Sequence, residues 1–442
     1  MQLEHALADP LIYINVGGRS GAECCFRNSH MEDSMVATTA PVRSRSATPT
    51  PGARELMEKL NSDAAKFNVW VRTEMNAPSQ RAWFTDTGGE TGAGQMATGR
   101  VSANQLKTLP AFWRWKDYAP FLERVSSIAS RADVSPIEFA DRQSILLTNP
   151  GLGGRLQVTS TQRCAISVYN PGDVAPAHVH SANASRTILS DKGGYTNVEG
   201  ERCEAKRGDL ILTPNGTWHD HGNDSDTPVI WIDMLDWPLL EYLDIAWVDL
   251  EYKGAGAQSN AKIQRTDYTD GYSTRLYGAG GLKPTFVSHQ RGWGHNPTPL
   301  IHYKGDDVRE ALDALRSEAG DPYEGIKMQF VNPVTGTPLY ATNDYYAQLL
   351  RPGEQTRFKR ETCNTFVVVM EGTGRTEVGG QTFDWEKNDI LVLPNFLWRR
   401  HLNTGKGDAV LYTVSDAALM QNIGQYRAQG KDDNGRIVQL VS

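Results

Sequence analysis

Between residues 141 and 250 the chain breaks into short apolar runs, among them SILLTN, RCAISVY, DLILTP and VIWIDML, separated by Gly, Pro and Asn turns. Runs of strand length with this punctuation predict an all-β barrel. A second such region, YYAQLLRPGEQTRF through VVVMEGTGRTEVGGQTFDWEKNDILVLPNFLWRRHLN, repeats the order of elements. Each has a Pro-Gly turn, a glycine-bearing hairpin, a Gly/Asn-Asp turn and a strand ending in Leu-x-Pro. Self-similarity of this kind predicts two copies of one barrel in a single chain.

Helical spacing appears in ARELMEKLNSDAAKFNVWV from Ala53, and LPAFWRWKDYAPFLERVSSIAS reads as an aromatic-rich segment entering a second helix. VATTAPVRSRSATPTPG, residues 36–52, has no apolar period and reads as a disordered linker. The resulting division is a disordered extension over 1–52, a helical cap over 53–135, a first barrel over 136–250, a connecting segment over 251–324 and a second barrel over 325–442. The connecting segment is polar and Gly-rich to about residue 296, and REALDALRSEA near its end is helical in spacing. Met31 and Met35 stand just upstream of the linker, so the natural start falls at Met1, Met31 or Met35.

Composition narrows the function classes. The chain has 442 residues, 39% of them hydrophobic, enough for real cores. Acidic residues outnumber basic ones, 52 to 45, with no Lys/Arg block, which argues against nucleic acid as partner. No apolar stretch approaches the roughly 20 residues of a spanning helix, and the N-terminus lacks signal-peptide order, so the expectation is a cytoplasmic protein away from the membrane. Cys24, Cys25, Cys164, Cys203 and Cys363 have neither metal-site spacing nor disulfide-framework density and read as reduced and structural.

Four of the ten histidines fall between 178 and 221, in PGDVAPAHVHS and TPNGTWHDHGN. Residues i and i+2 of a strand point to one face, so His178 and His180 would project side by side into the barrel. His219, after Pro214-Asn215-Gly216-Thr217-Trp218, opens a later strand beside the first and supplies a third imidazole. A His-x-His pair alone reads more readily as a solvent-facing or hydrogen-bonded pair; joined to PNGTWH it predicts a metal site. SANASRTIL follows the pair with Ser185 and Arg186 and no glutamate, leaving three neutral ligands with open coordination positions. The ligand set alone admits zinc as well as iron.

WRWKDYAP, DRQSILLTNPGLGG, PGDVAPAHVH, GGYTNVEGERC, GDLILTPNGTWHDHGN, PVIWIDMLD, TPLIHY and FVNPVTGTPL, in this order from Trp113 onward, resemble the gentisate 1,2-dioxygenase family. That family includes the salicylate- and 1-hydroxy-2-naphthoate-cleaving enzymes. The resemblance implies a bicupin, two double-stranded β-helix (jelly-roll) barrels in one chain with a helical cap. It implies Fe(II) on His178, His180 and His219, and insertion of both oxygen atoms of O2 between the carboxyl-bearing and hydroxyl-bearing carbons of a small aromatic acid. For gentisate the product is maleylpyruvate; salicylate, substituted salicylates and 1-hydroxy-2-naphthoate are the alternatives. Arg186 and Arg142 match family arginines that contact the substrate, His221 a histidine that hydrogen-bonds substrate or oxygen and moves a proton, and Asp233 a residue that orients the site. A homo-oligomer, dimer or tetramer, is expected.

Three positions depart from the family pattern: Val179 between the two ligands, Arg163 in TQRCAISV, where a charge stands near the substrate, and the polar run SANASRTIL. In the second barrel RFKRETCNTF and NFLWRRHLN put Lys359, Glu361 and Arg399 at the ligand positions. Two cations cannot replace imidazole, so that barrel is expected to be metal-free, with His401 structural. Outside ring cleavage, the competing readings are a zinc- or manganese-dependent cupin isomerase, a diketone-cleaving dioxygenase and a non-catalytic cupin that senses or stores a small acid.

Overall fold

A computed structural model describes residues 52–71, 108–129, 143–253, 269–287, 289 and 298–441. Cys24, Cys25, Met31, Met35, the expected linker over 36–52 apart from Gly52, and Arg142 lie outside the described residues.

The cap holds helix α1 (Ala53–Ala65), strand β1 (Val69–Val71), strand β2 (Ala111–Trp113) and helix α2 (Trp115–Ala129). Met57, Leu60 and Ala64 of α1, and Tyr118, Phe121, Leu122 and Val125 of α2, are buried at helical spacing. Each large apolar side chain of such a stripe contributes about 1.5–3 kcal/mol on burial. The first barrel follows as β3 (Gln143–Leu147), β4 (Arg163–Tyr169), β5 (Val174–His180), β6 (Ala184–Ile188), β7 (Lys192–Val198), β8 (Glu201–Lys206), β9 (Leu210–Thr213), β10 (His219–Gly222), β11 (Val229–Leu235) and β12 (Val248–Asp249). Helix α3 (Trp237–Tyr242) leaves β11, and the connecting segment carries helix α4 (Tyr272–Tyr277), strand β13 (His302–Tyr303) and helix α5 (Gly305–Ala314).

In the second barrel the order is β14 (Ile326–Gln329), β15 (Asp344–Leu350), β16 (Lys359–Glu361), β17 (Thr365–Glu371), β18 (Thr373–Val378), β19 (Gln381–Glu386), β20 (Ile390–Leu393), β21 (Arg399–Asn403) and β22 (Ala409–Ser415). Helix α6 (Ala417–Asn422) and strands β23 (Ala428–Lys431) and β24 (Ile437–Val441) close the described chain. Each barrel is a pair of antiparallel sheets. The first has the orders β1-β3-β4-β11-β6-β9-β13 and β12-β5-β10-β7-β8; the second has β14-β15-β22-β17-β20-β2 and β19-β18-β21-β16-β23-β24.

The cap is less purely helical than its sequence pattern suggests. β1 pairs with β3 of the first barrel, and β2 pairs with β20 of the second. β13, from the connecting segment, extends the first barrel beyond β9. Three-residue and two-residue strands carry no period of their own; the sheet edges they complete decide their conformation.

The duplication is visible in the register. His178 faces His219 across β5 and β10, and Lys359 faces Arg399 across β16 and β21. His221 faces Thr196, and His401 faces Thr376. The interiors diverge. Arg186 faces Asp233 in the first barrel, where Val367 faces Thr413 in the second. Val367, Val369, Val378, Leu391, Leu393 and Leu411 form an apolar cluster in the second barrel.

The barrels grip each other through matching clamps. Asp236 accepts from the Asn183 backbone and side-chain amides at 2.9 Å each and from the Thr342 hydroxyl of the second barrel at 2.5 Å. Asp416 accepts from Asn364 at 2.7 and 3.0 Å and from Thr161 of the first barrel at 2.7 Å. Gln162 donates to Asn343 between the two clamps at 2.8 Å.

Candidate metal centre and active site

His178, His180, His219 and His221 converge on the interior of the first barrel, all buried. Ring centroids of His178 and His219 lie 4.2 Å apart, those of His180 and His219 4.7 Å, and those of His178 and His180 5.9 Å. The antiparallel register of β5 and β10 makes the approach possible, and a bulge between His219 and His221 shifts the pairing so that His221 faces Ala175.

Hydrogen bonds sort the four rings chemically. Nδ1 of His178 meets the Pro176 carbonyl, Nδ1 of His180 the Ala182 carbonyl and Nδ1 of His219 the Thr217 carbonyl, each at 2.8 Å. A carbonyl only accepts, so each Nδ1 carries the proton and each Nε2 keeps its lone pair for the interior. His219 Nε2 is buried without a hydrogen-bond partner. Burial pushes the His219 ring well below the ordinary histidine range, with His178, His180 and Arg186 adding to the effect, so it stands neutral. Neutral imidazoles with inward lone pairs and an orphaned buried nitrogen fit a divalent metal.

Distance alone groups the nitrogens of His178, His219 and His221, which lie within 4.8 Å of one another. The chemistry favours His180 over His221 as the third donor. His221 Nε2 lies 2.8 Å from Arg186 Nη2, and Nδ1 lies 3.0 Å from Thr196 Oγ1. A guanidinium can only donate, so the His221 Nε2 lone pair is already engaged by a cation.

Arg186, 1% exposed, is tied on every side. Its Nη1 donates to Thr213 Oγ1 at 3.1 Å, and its Nε stands 3.1 Å from Asp233 Oδ1, paired as charges without hydrogen-bond alignment. Asp233 Oδ2 accepts from Ser167 Oγ at 2.6 Å. Tyr169 and Trp231 stack at 4.6 Å as an aromatic wall, with His221 6.1 Å from Trp231. Asp233, Arg186 and His221 are therefore one buried network beside the metal-type histidines. Thr196, Thr213 and Ser167, which complete it, carry no local signal in the sequence; only pairing across strands brings them in.

Arg163 shares the β4 face that Ala165 turns toward Asp233, two residues nearer the strand end. There its Nη2 donates to Glu241 at 3.0 and 3.1 Å, its Nε to the Leu156 carbonyl at 2.9 Å, and its guanidinium lies 5.7 Å from the Trp237 ring. The described contacts of Arg163 do not include the four histidines. Val179 points off the ligand face, opposite Asp249 of β12.

Gly222, ending HDHG, has a steric reason to be glycine. A Cβ there would lie 2.4 Å from Tyr195 Oη and 2.7 Å from its Cζ, and the ring is buried. Gly222→Ala is expected to cost about 1–3 kcal/mol of stability, read as a lowered denaturant midpoint.

At the equivalent place in the second barrel, charge pairs replace the imidazoles. Lys359 Nζ lies 2.7 Å from Glu324 and 2.9 Å from Glu361; Arg399 pairs with Glu361, which also accepts from Tyr426 at 2.6 Å. Burial, reinforced by Arg399 and Lys327, holds His401 down at about 4. An unfolded histidine titrates near 6.5, so between these values the unfolded chain binds the proton that the native chain refuses. Stability from this residue is full above about pH 6.5 and is lost as pH falls toward 4, on the order of 2–3 kcal/mol. His401→Gln is expected to flatten that part of the pH dependence in urea titrations at pH 7, 5.5 and 4.5.

A cupin-domain profile matches residues 165–235 and 347–415, one segment in each barrel. The 5-aminosalicylate 1,2-dioxygenase of Comamonas sp is 35% identical over 326 residues, 72% of this chain and 81% of that protein. The chain belongs to the gentisate 1,2-dioxygenase family. Gentisate 1,2 dioxygenase 1 of Aquipseudomonas alcaligenes is 34% identical over 319 residues, 72% of this chain and 86% of the relative. The crystal structure of salicylate 1,2-dioxygenase from Pseudaminobacter salicylatoxidans superposes with a TM-score of 0.64 at 28% identity, over 74% of this chain and 89% of that one. A point mutant of that enzyme, solved in complex with gentisate, matches with a TM-score of 0.63 at 27% identity, over 75% of this chain and 89% of that one. The protein is thus a ring-cleaving, metal-dependent dioxygenase with the bicupin fold. Among the described residues no helix is long and apolar enough to cross a membrane.

Proposed function

We propose that the substrate is gentisate, cleaved by O2 to maleylpyruvate, and that the metal is Fe(II) held by His178, His180 and His219. The observation that carries the metal site is the set of three Nδ1-anchored imidazoles, with His219 Nε2 buried and unsatisfied. Iron(II), when bound, would supply the coordination positions that bring O2 and the ring together and would relay electrons from the ring to O2.

The remaining steps belong to the chain. Arg186 holds a buried positive charge beside the histidines and would draw the substrate carboxylate to that side. Asp233, itself fixed by Ser167, keeps the guanidinium in place. His221 Nε2 would take the proton of a ring hydroxyl once the substrate carboxylate replaces it as the partner of Arg186 Nη2, with Thr196 holding Nδ1. Tyr169 and Trp231 keep water from the ring. Arg163 is proposed as a contact at the mouth, its charge balanced by Glu241, and Arg142 as a further substrate contact. The second barrel is proposed to hold no metal, and the protein to act in the cytoplasm as a dimer or tetramer.

A second substrate reading is 5-aminosalicylate, because the relatives acting on it and on gentisate are about equally similar to this chain. Both carry an electron-donating group at ring position 5. Following ring-cleavage absorbance with gentisate, 5-aminosalicylate, salicylate and 1-hydroxy-2-naphthoate in parallel tests the choice. Turnover is expected to be fastest with gentisate, abolished by chelation, and restored by iron(II) and not by zinc. Fastest turnover of 5-aminosalicylate would establish the second reading, and restoration by zinc would overturn the iron assignment.

A further inference from the structure

The block FVNPVTGTPL has no part in the site described so far, yet Tyr340, the residue that follows it, reaches the strand that carries Arg186. Asn332 organises a tight turn: its backbone N–H donates to the Thr337 carbonyl at 2.9 Å, its carbonyl accepts from Gly336 at 2.8 Å, and its side chain accepts from the Val334 amide at 2.9 Å. Val331 bridges Pro338 across the turn. The chain leaving this hairpin carries Leu339 and Tyr340 into the contact between the barrels, where both are buried.

Tyr340 Oη donates to the carbonyl of Ala184, in the first barrel, at 2.8 Å. Ala184 opens β6, the strand that carries Arg186 two residues later on the same face. The same carbonyl receives a long contact, 3.4 Å, from Thr213 Oγ1, which in turn accepts from Arg186 Nη1 at 3.1 Å. A continuous path therefore runs Tyr340, Ala184 carbonyl, Thr213, Arg186. The Tyr345 ring, at 5.9 Å and 75° to that of Tyr340, braces it from behind. Burial raises the Tyr340 phenol well above its usual range, so the hydroxyl keeps the proton it donates.

We propose that Tyr340 is a positioning residue contributed by the second barrel, which sets the Arg186 guanidinium through the Ala184 carbonyl and Thr213. This rests on the reading of Arg186 as the group that receives the substrate carboxylate. It gives the second barrel a part in substrate recognition besides packing. Removing a buried tyrosine hydroxyl deprives the strand carbonyl of a strong donor, and a small shift of the strand start carries Arg186, two residues on, and its Thr213 contact with it.

The test is a double-mutant cycle of Tyr340→Phe and Arg186→Lys, read as gentisate affinity by anaerobic titration of the iron(II)-loaded protein, so that variants without turnover still report. Tyr340→Phe keeps the ring and is expected to weaken gentisate binding about five- to tenfold, with kcat within about twofold and iron content unchanged. In the Arg186→Lys background the same change is expected to have less than about a twofold effect. Equal losses in both backgrounds would reduce Tyr340 to a packing residue and overturn the inference, as would unchanged affinity in Tyr340→Phe while Arg186→Lys alone weakens binding. If Arg186→Lys itself leaves affinity unchanged, the reading of Arg186 falls and the inference with it.

Discussion

Alanine at position 219 is expected to lower kcat/KM by at least about 10³-fold, some 4 kcal/mol of barrier, and to abolish stoichiometric metal binding. Of the three Nδ1-anchored imidazoles, His219 carries the orphaned buried Nε2. Its ring touches both partners, with centroids at 4.2 and 4.7 Å. Removing it leaves His178 and His180, with ring centroids 5.9 Å apart, as two donors, too few to hold a labile divalent ion. Metal analysis and calorimetry separate this from misfolding. Iron(II) is expected to raise the Tm of the parent protein and to leave that of the variant unchanged, because only a native state with a site gains from the ligand. An active variant with full iron content would move the ligand set to His178, His180 and His221.

Arg399→Leu in the second barrel is expected to act on stability and to leave chemistry alone. Glu361 is 6% exposed and pairs with Arg399 and Lys359; these charges hold its carboxyl well below the usual carboxylate range against the opposing effect of burial. Losing Arg399 leaves Glu361 with Lys359 and the Tyr426 hydroxyl, so the cost falls at the low end of that for breaking a buried pair, about 3 kcal/mol. A Tm lowered by about 3 °C with kcat within about twofold is the expected result, measured by scanning calorimetry and initial rates. The same network predicts acid sensitivity. Glu324 and Glu361 have depressed native pKa values, Glu324 to about 2, so their contribution is present above about pH 4.5 and is lost as pH falls toward 2.

Much of this was legible in the sequence where chemistry is local. The alternation of His178 and His180 on one strand, the turn before His219 and the repeat of glycine-bearing hairpins depend on neighbours a few residues away. The register bears out the alignment of Lys359 and Arg399 with His178 and His219. Contacts across large sequence separations were not legible. Nothing near Ala111 or His302 says that two short strands will complete different barrels. Arg186 reads from sequence, by the family resemblance, as a substrate contact, and the fold also shares its nitrogens among Thr213, His221 and Asp233. Arg163 reads as a charge facing the substrate, and the fold gives it Glu241, a partner 78 residues away. Tyr340 follows FVNPVTGTPL and reveals its target only when β6 is in place.

Oxygen uptake by the anaerobically purified, iron(II)-loaded protein, with gentisate as substrate and His219→Ala as control, tests the central claim most directly. One O2 consumed per gentisate, with ring-cleavage absorbance rising in step and both signals absent from the variant, is the predicted result. No uptake with gentisate or any of the related acids, from protein that retains its iron, would contradict it.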